Sequence, residues 1–183
     1  QLAWMPPFGF DNTFAMLVRQ ADARRLGITT LSQAARFAPQ WRAGFGYEFM
    51  ERADGFAGLA ATYGLHFRGT PTVMDLGLTY RALAEGKVDI IAGNSTDGQI
   101  AALDLVQLAD DRGYFPPYQA ATVVRRAALD RYPGAAPALA ALAGTISDDA
   151  MRHMNYLVDV EHRSAHDVAA AFLRLHSVAG GQQ

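Results

Sequence analysis

Residues 77–96 read GLTYRALAEGKVDIIAGNST and contain the clearest local pattern in the chain. Apolar residues at helical spacing predict a helix over 76–84 with a C-cap near Gly86, and the apolar run that follows predicts a strand over 88–92. A helix, a tight turn and a buried strand in this order are typical of a parallel sheet covered by helices. The segment therefore predicts an α/β fold.

Similar patterns occur on both sides of this segment. Strands are predicted at 12–19, 104–111 and 120–126, and helices at 31–38 after an N-cap at Thr30, at 56–63 before Gly64, and at 135–143, 147–158 and 164–176. Residues 41–55 predict a strand closed by an Asp-Gly turn, and residues 4–9 form a Pro/Gly-rich lead-in to the first strand. These strands are few for a closed α/β fold.

Composition excludes several classes of function. Half of the 183 residues are hydrophobic and 19% are charged, which predicts a packed globular chain. The net charge of −2 offers no basic surface to nucleic acid, so we expect no nucleic-acid partner. The absence of cysteine excludes disulfides, thiolate catalysis and cysteine-type zinc sites.

Aromatic residues and one arginine in the predicted loops are the main functional signal. The aromatic residues are Phe8, Phe10 and Phe14 near the first strand and Tyr114, Phe115 and Tyr118 around the FPPY segment. Arg52 lies in the ERADG turn. Aromatic faces bind quaternary ammonium groups and the guanidinium fork binds carboxylates, so together they would suit a small zwitterion. The alternative is that the rings belong to the core and that Arg52 is solvated.

Other chemistries are weaker alternatives. Asp97 is a candidate acid or base, but an Asp before Gly is more often a turn former. Asp110 and Asp111 are candidate paired carboxylates, although adjacent side chains usually point apart. His162 and His166, four residues apart, would present two metal ligands on a helix, with no third ligand evident. We therefore expect neither an enzyme nor a metal or cofactor site.

Four segments resemble a known family over nearly the whole chain and in order. They are PPFGFDNTFAMLVR (6–19), GFGYEFMERADG (44–55), the long segment 74–125 and MRHMNYLVD (151–159). They are similar to the substrate-binding proteins of glycine betaine/choline/proline-type ABC importers, in particular the osmoprotectant-binding OsmF/ProX-like group. The resemblance implies a type II periplasmic-binding fold, in which two α/β lobes close on a ligand.

The resemblance also implies a binding site in the cleft between the lobes. The implied ligand-binding residues are Asn12, Thr13, Phe14, Arg52, Asn94, Ser95, Thr96 and Tyr118. Arg52 would pair with the ligand carboxylate, and Phe14 and Tyr118 would contribute aromatic faces. Phe14 replaces the commoner Tyr of the family, and Asn94 lies where many relatives have a cage Tyr. These departures argue against a complete aromatic box around the ammonium group of the ligand. Another compact zwitterion is therefore an alternative ligand.

The lobes implied by the resemblance are unequal. Residues 9–113 would form a complete distal lobe, and 114–183 only the returning part of lobe one, because family members have an earlier segment that builds its first half. We expect a second polypeptide, a swapped copy or a rearranged sheet to complete it. The other implied partner is an ABC permease on the periplasmic or outer side of a membrane. The alternative function is a truncated scaffold or interaction fragment that no longer binds ligand.

Overall fold

The computed structural model describes residues 1–175, and over this range the chain has the predicted mixed α/β architecture. The strands are β1 (Leu2–Asp11), β2 (Phe14–Arg19), β3 (Ala43–Phe45), β4 (Thr72–Val73), β5 (Ile90–Asn94), β6 (Leu105–Gln107) and β7 (Gln119–Arg125). The helices are α1 (Gln20–Leu26), α2 (Leu31–Ala34), α3 (Tyr47–Glu51), α4 (Phe56–Tyr63), α5 (Leu76–Ala84), α6 (Gln99–Ala102), α7 (Arg126–Arg131), α8 (Ala135–Ala140), α9 (Asp148–Asp159) and α10 (Ala165–Leu175). A 3₁₀ turn occupies Ala38–Gln40.

Five strands form a mixed sheet in the order β4-β3-β5-β2-β6. β3 runs parallel to β4 and β5, as the parallel sheet predicted from the helix–turn–strand pattern requires. β2 instead runs antiparallel to β5 and β6, so the sheet is mixed. The reason is the connection from β1, which brings the chain to the edge where β5 ends. The first residue of β2, Phe14, therefore pairs with the last residue of β5, Asn94.

The core of this sheet lies on both of its faces. Successive side chains of β2 point to opposite faces. Met16 and Val18 pack in one buried cluster with residues of α1 to α4, and Leu17 packs in the other with residues of α5 and α6. A strand covered on both faces explains why the sequence from Ala15 to Val18 is continuously apolar.

The second sheet has two strands and a much smaller core. β1 pairs antiparallel with β7, with irregular register between Trp4 and Pro7 and between Pro7 and Asp11. Trp4 is 76% exposed, and the helices α7 to α10 contribute a single buried hydrophobic residue, Val168. The lead-in predicted at residues 4–9 is thus a strand. Proline lacks an N–H to donate to a neighbouring strand, which accounts for the irregular pairing.

Several local predictions can be compared with the structure. α5 spans Leu76–Ala84 as predicted, and Thr30 caps α2. α4 ends at Tyr63, and Gly64 after it adopts the left-handed backbone conformation. The long strand predicted at 41–55 is wrong, because only Ala43–Phe45 is extended and a helix begins at Tyr47. That helix buries Phe49 against Phe45, four residues earlier. The predicted helix end at His176 lies outside the described residues.

Candidate functional site

A cavity of about 300 Å³ opens at the edge where β5 ends and β2 begins. Its lining residues are Asn12, Phe14, Glu48, Arg52, Asn94 and Tyr118. Five of these six are among the eight predicted ligand-binding residues, and Glu48 was not predicted. No metal-binding group of three or more His, Asp or Glu residues occurs in the described part of the chain.

Strand pairing and chain crossing bring these residues together. Phe14 and Asn94 are register partners in β2 and β5. Asn12 and Tyr118 lie in the two segments that connect the sheets, and the backbone N–H of Asn12 donates to the carbonyl of Tyr118 at 3.1 Å. Residues more than a hundred positions apart in the sequence therefore share one wall of the cavity.

Arg52 reaches the cavity from the turn after α3, where it is paired with Asp54. Its Nε and Nη2 donate to the two carboxylate oxygens of Asp54, both at 2.8 Å. Tyr118 also donates its hydroxyl to Asp54 and accepts from Arg52. These hydrogen bonds from Arg52 and then from Tyr118 hold the pKa of Asp54 well below its usual range. The pair is therefore charged at neutral pH, with its geometry fixed by a two-pronged contact.

The Arg52 guanidinium also lies against two aromatic rings. Its central carbon is 5.5 Å from the ring centroid of Phe14 and 5.5 Å from that of Tyr118. Phe14 in turn packs edge-on against Phe49, with ring centroids 5.0 Å apart. The guanidinium thus already makes cation–π contacts with both predicted aromatic residues of the site.

Thr13, Ser95 and Thr96 were also predicted to bind ligand, and none of the three lines this cavity. The Ser95 hydroxyl accepts from the Thr13 N–H at 3.2 Å and donates to the Asp11 carbonyl at 2.9 Å. The Thr96 hydroxyl donates to Asn12 Oδ1 at 2.8 Å. Ser95 and Thr96 are buried and do not line the cavity. In this arrangement they hold the loop of Asn12 in place.

Helix α9 supports the same loop from the other side. Arg152 donates from Nε and Nη2 to the Ser95 carbonyl at 3.0 and 2.9 Å. Asn155 donates to the Thr96 carbonyl at 2.8 Å. Sequence reasoning assigned no role to these two residues, although both lie in the MRHMNYLVD segment that carries the family resemblance. Their carbonyl partners are distant in sequence and carry no side-chain signal.

The carboxylates considered for acid–base chemistry are engaged in structural hydrogen bonds. Asp97 accepts from the Tyr80 hydroxyl at 2.6 Å and from the Asn94 N–H at 2.9 Å. Asp110 accepts from the Phe115 N–H at 2.8 Å and from the Tyr63 hydroxyl, whereas Asp111 accepts from the Ser32 N–H. Asp110 and Asp111 therefore point to different partners, and neither lines the cavity.

The remaining predicted aromatic and histidine residues do not line this cavity. Phe8 and Phe10 stack on each other in β1, while Phe115 packs against Phe14 and Tyr114 donates to the Gly55 carbonyl. His162 lies in the turn after α9, and His166 lies in α10 beside Asp167. No helix within residues 1–175 combines the length and the apolar character needed to span a bilayer.

Comparison with known proteins gives consistent matches. A model of the OpuAC family, the substrate binding domain of ABC-type glycine betaine transport system, matches residues 1–175. An ergothioneine transport permease/ergothioneine binding protein from Helicobacter pylori is 37% identical over 172 residues, which make up 94% of this chain and 31% of that protein. A glycine-betaine-binding protein from Pseudomonas aeruginosa is 37% identical over 185 residues, covering 96% of this chain and 60% of that protein.

Solved structures extend this similarity to the fold. The crystal structure of a glycine betaine/carnitine/choline ABC transporter superposes with a TM-score of 0.87 and 36% identity over 97% of this chain and 65% of that one. The chain thus spans less than two thirds of the length of each of these three relatives.

Proposed function

The chain belongs to the family of substrate-binding domains of ABC-type glycine betaine transport systems, and we propose that it binds a compatible solute for an ABC importer. Its fold is part of the type II periplasmic-binding fold, and the family consists of transport proteins rather than enzymes. The proposed ligands are small zwitterions or quaternary ammonium compounds such as glycine betaine, choline or proline betaine.

The observation that carries this proposal is the cavity shared by Arg52, Phe14, Asn94 and Tyr118. A guanidinium group binds a carboxylate through directed, charge-assisted hydrogen bonds. Aromatic faces and amide groups around it supply contacts for the rest of a compact polar ligand. Asn12 adds a further polar side chain on the side where the chain crosses between the two sheets.

Arg52 keeps binding capacity although it is paired with Asp54. Its Nη1 donates only to Glu48, at 3.3 Å, and the Glu48 side chain is 73% exposed. Exposed ion pairs of this kind contribute little free energy because both charges remain solvated. A ligand carboxylate can therefore replace Glu48 at Nη1 while the two bonds to Asp54 persist.

The relatives narrow the chemistry of the ligand. Glycine betaine and ergothioneine, the ligands in the descriptions of two relatives, both combine a quaternary ammonium group with a carboxylate. Choline has the ammonium group without the carboxylate. Because Arg52 is the cation that lines the cavity, we expect zwitterions to bind this chain more tightly than choline.

The test is isothermal titration of the protein with glycine betaine, proline betaine, carnitine and choline. Arg52→Ala should weaken zwitterion binding by roughly thirtyfold or more, because it removes the carboxylate partner. Arg42→Ala is the matched control, since Arg42 also makes a two-pronged contact with a carboxylate, that of Asp89, but does not line the cavity.

Equal effects of the two arginine variants would contradict the proposed role of Arg52. No saturable heat with any of these compounds would favour the alternative function, a scaffold fragment without ligand binding. The exposed Leu2 and Trp4 in the two-stranded sheet are the observation that favours this alternative, because such surfaces are typical of interaction sites.

We propose that residues 9–113 act as the distal lobe, that 114–183 form part of the other lobe, and that the protein works outside the cytoplasmic membrane with an ABC permease. A second polypeptide or a second copy of the chain would cover the exposed side chains of β1 and β7, of which Trp4 is the largest. A chain that stays monomeric at high concentration with fully protected β1 and β7 amides would contradict the last proposal.

A further inference from the structure

The carboxylate of Asp97 holds Asn94, one of the residues that line the ligand cavity. Asp97 accepts a hydrogen bond from the Asn94 backbone N–H at 2.9 Å. It also accepts from the hydroxyl of Tyr80, a buried residue of α5, at 2.6 Å. Neither Asp97 nor Tyr80 lines the cavity, so any effect of these two residues on a ligand must pass through Asn94.

The side-chain amide of Asn94 turns its nitrogen toward the same carboxylate. Its Nδ2 lies 3.3 and 3.4 Å from the two carboxylate oxygens of Asp97. An ionised carboxylate accepts hydrogen bonds and donates none. The opposite orientation of the amide would set its oxygen against two further acceptors, which repel it. The contact with Asp97 therefore fixes which end of the amide faces away from the turn.

The amide oxygen of Asn94 is the end that remains open. Within residues 1–175 Asn94 Oδ1 accepts no hydrogen bond, and it is not among the buried polar atoms without a partner, so it is accessible. Asn94 pairs in register with Phe14, whose ring also lies against the guanidinium of Arg52. An open, uncharged acceptor and the guanidinium thus both adjoin Phe14 in one cavity.

Two other acceptors of the cavity are already occupied. Asn12 Oδ1 accepts from the Thr96 hydroxyl at 2.8 Å, and the Glu48 carboxylate accepts from Arg52 at 3.3 Å. A quaternary ammonium group carries no N–H and leaves Asn94 Oδ1 without a donor. A ligand with an N–H or O–H group can satisfy this oxygen, and a site built to accept such a bond discriminates against an analogue that lacks the donor.

We propose that Asp97, held by Tyr80, is a positioning residue that fixes the Asn94 amide with its oxygen toward the cavity, so that the site selects zwitterions with an N–H or O–H donor. This inference rests on the proposed function and narrows its substrate class. Asn94 contacts the ligand, and Asp97 acts only through Asn94. Because the acceptor is accessible, the preference amounts to a moderate factor in affinity rather than an absolute choice.

The test is isothermal titration of the protein with two matched pairs of zwitterions. N,N-dimethylglycine has an N–H where glycine betaine has a third N-methyl group, and carnitine has a hydroxyl where γ-butyrobetaine has a hydrogen. The two donors lie at different distances from the carboxylate. The wild-type protein should bind the donor-bearing member of at least one pair about three- to tenfold more tightly. Asn94→Leu, which removes the acceptor, should abolish this preference.

Asp97→Asn tests the positioning role. An asparagine at this position can both donate and accept, so the Asn94 amide can face either way. The preference should fall to about twofold or less, whereas the affinity for the pair member without a donor should change little. A merely structural role of Asp97 would weaken both members of the pair equally. Asp104→Asn is the matched control, because it makes the same change at an exposed residue outside the cavity and should keep the full preference.

Equal affinities within both pairs in the wild-type protein would overturn the selection for a donor. A preference that survives Asn94→Leu would overturn the role of Asn94, and an undiminished preference in the Asp97 variant would overturn the positioning role. In each of these cases Arg52-dependent binding of glycine betaine would leave the proposed function standing. Failure of all four compounds to bind the wild-type protein would overturn both the function and this inference.

Discussion

The two sheets of this chain differ sharply in how they are buried. Within residues 1–175, every buried hydrophobic residue except Val168 lies between Ala15 and Leu108, in the unit built on the five-stranded sheet. The unit formed by β1, β7 and helices α7 to α10 carries exposed Leu2 and Trp4 instead. The candidate binding residues Phe14, Arg52 and Asn94 all belong to the first unit. The difference teaches that the well-buried unit carries most of the candidate binding residues, while helix α9 of the second unit donates hydrogen bonds to the carbonyls of Ser95 and Thr96 beside them.

The largest expected effect tests this difference in the core. Phe45 is completely buried and contacts three other aromatic rings, so Phe45→Ala should lower the free energy of unfolding by about 3–5 kcal/mol. Phe8→Ala removes the same ring from half-buried β1 and should cost less than half as much. Urea denaturation followed by circular dichroism measures both. Equal losses would show that the second sheet is packed as firmly as the first.

The same difference explains how much of the fold could be predicted from the sequence. α5 was predicted because its helical periodicity is local and one of its faces is buried. β5 was predicted two residues too early, at 88–92, because a continuous apolar run marks a buried strand but not its ends. β1 was missed because its prolines and exposed side chains give no strand pattern, and its pairing depends on the distant β7. α3 was predicted as part of a strand because aromatic residues are typical of strands. Its helical form depends on the packing of Phe49 against Phe14 and Phe45, which the local sequence does not show.

The residues of the candidate site could also be predicted from the sequence only in part. Arg52, Phe14 and Tyr118 were predicted from their residue types in the predicted loops, and the family resemblance pointed to the same three residues. Glu48 and Arg152 could not be found in this way, because their importance depends on which cavity or carbonyl they reach in the folded chain. Ser95 and Thr96 lie next to Asn94 in sequence, yet their hydrogen bonds turn them away from the cavity.

A medium effect on stability is expected where α9 of the second unit donates hydrogen bonds to the loop of Ser95 and Thr96 in the first unit. Arg152→Met leaves the Ser95 carbonyl without its charged donor, which should lower the free energy of unfolding by about 1–3 kcal/mol. It should also speed hydrogen exchange in the loop of Ser95 and Thr96. Arg126→Met on the exposed face of α7 is the control and should change stability little. Unchanged exchange in the loop of the Arg152 variant would mean that the two units are independent.

The smallest effect compares one helix cap from each unit. Thr30 caps α2 through a reciprocal arrangement, in which its hydroxyl accepts from the Gln33 N–H while Gln33 Oε1 accepts from the Thr30 N–H. Ser147 caps α9 through a single bond from the Ala150 N–H. Losing such a cap costs typically about 1 kcal/mol. Urea denaturation should therefore show this loss for Thr30→Ala.

Ser147→Ala should behave differently if the second unit opens without the first. A cap contributes to the free energy of global unfolding only when its helix unfolds with the rest of the chain. We therefore expect Ser147→Ala to lower the denaturation midpoint less than Thr30→Ala and to speed amide exchange mainly in α9. Because α9 carries Arg152 and Asn155, faster opening of α9 would also loosen the loop behind the cavity. Equal midpoint shifts with no local change in exchange would instead show that both units unfold as one.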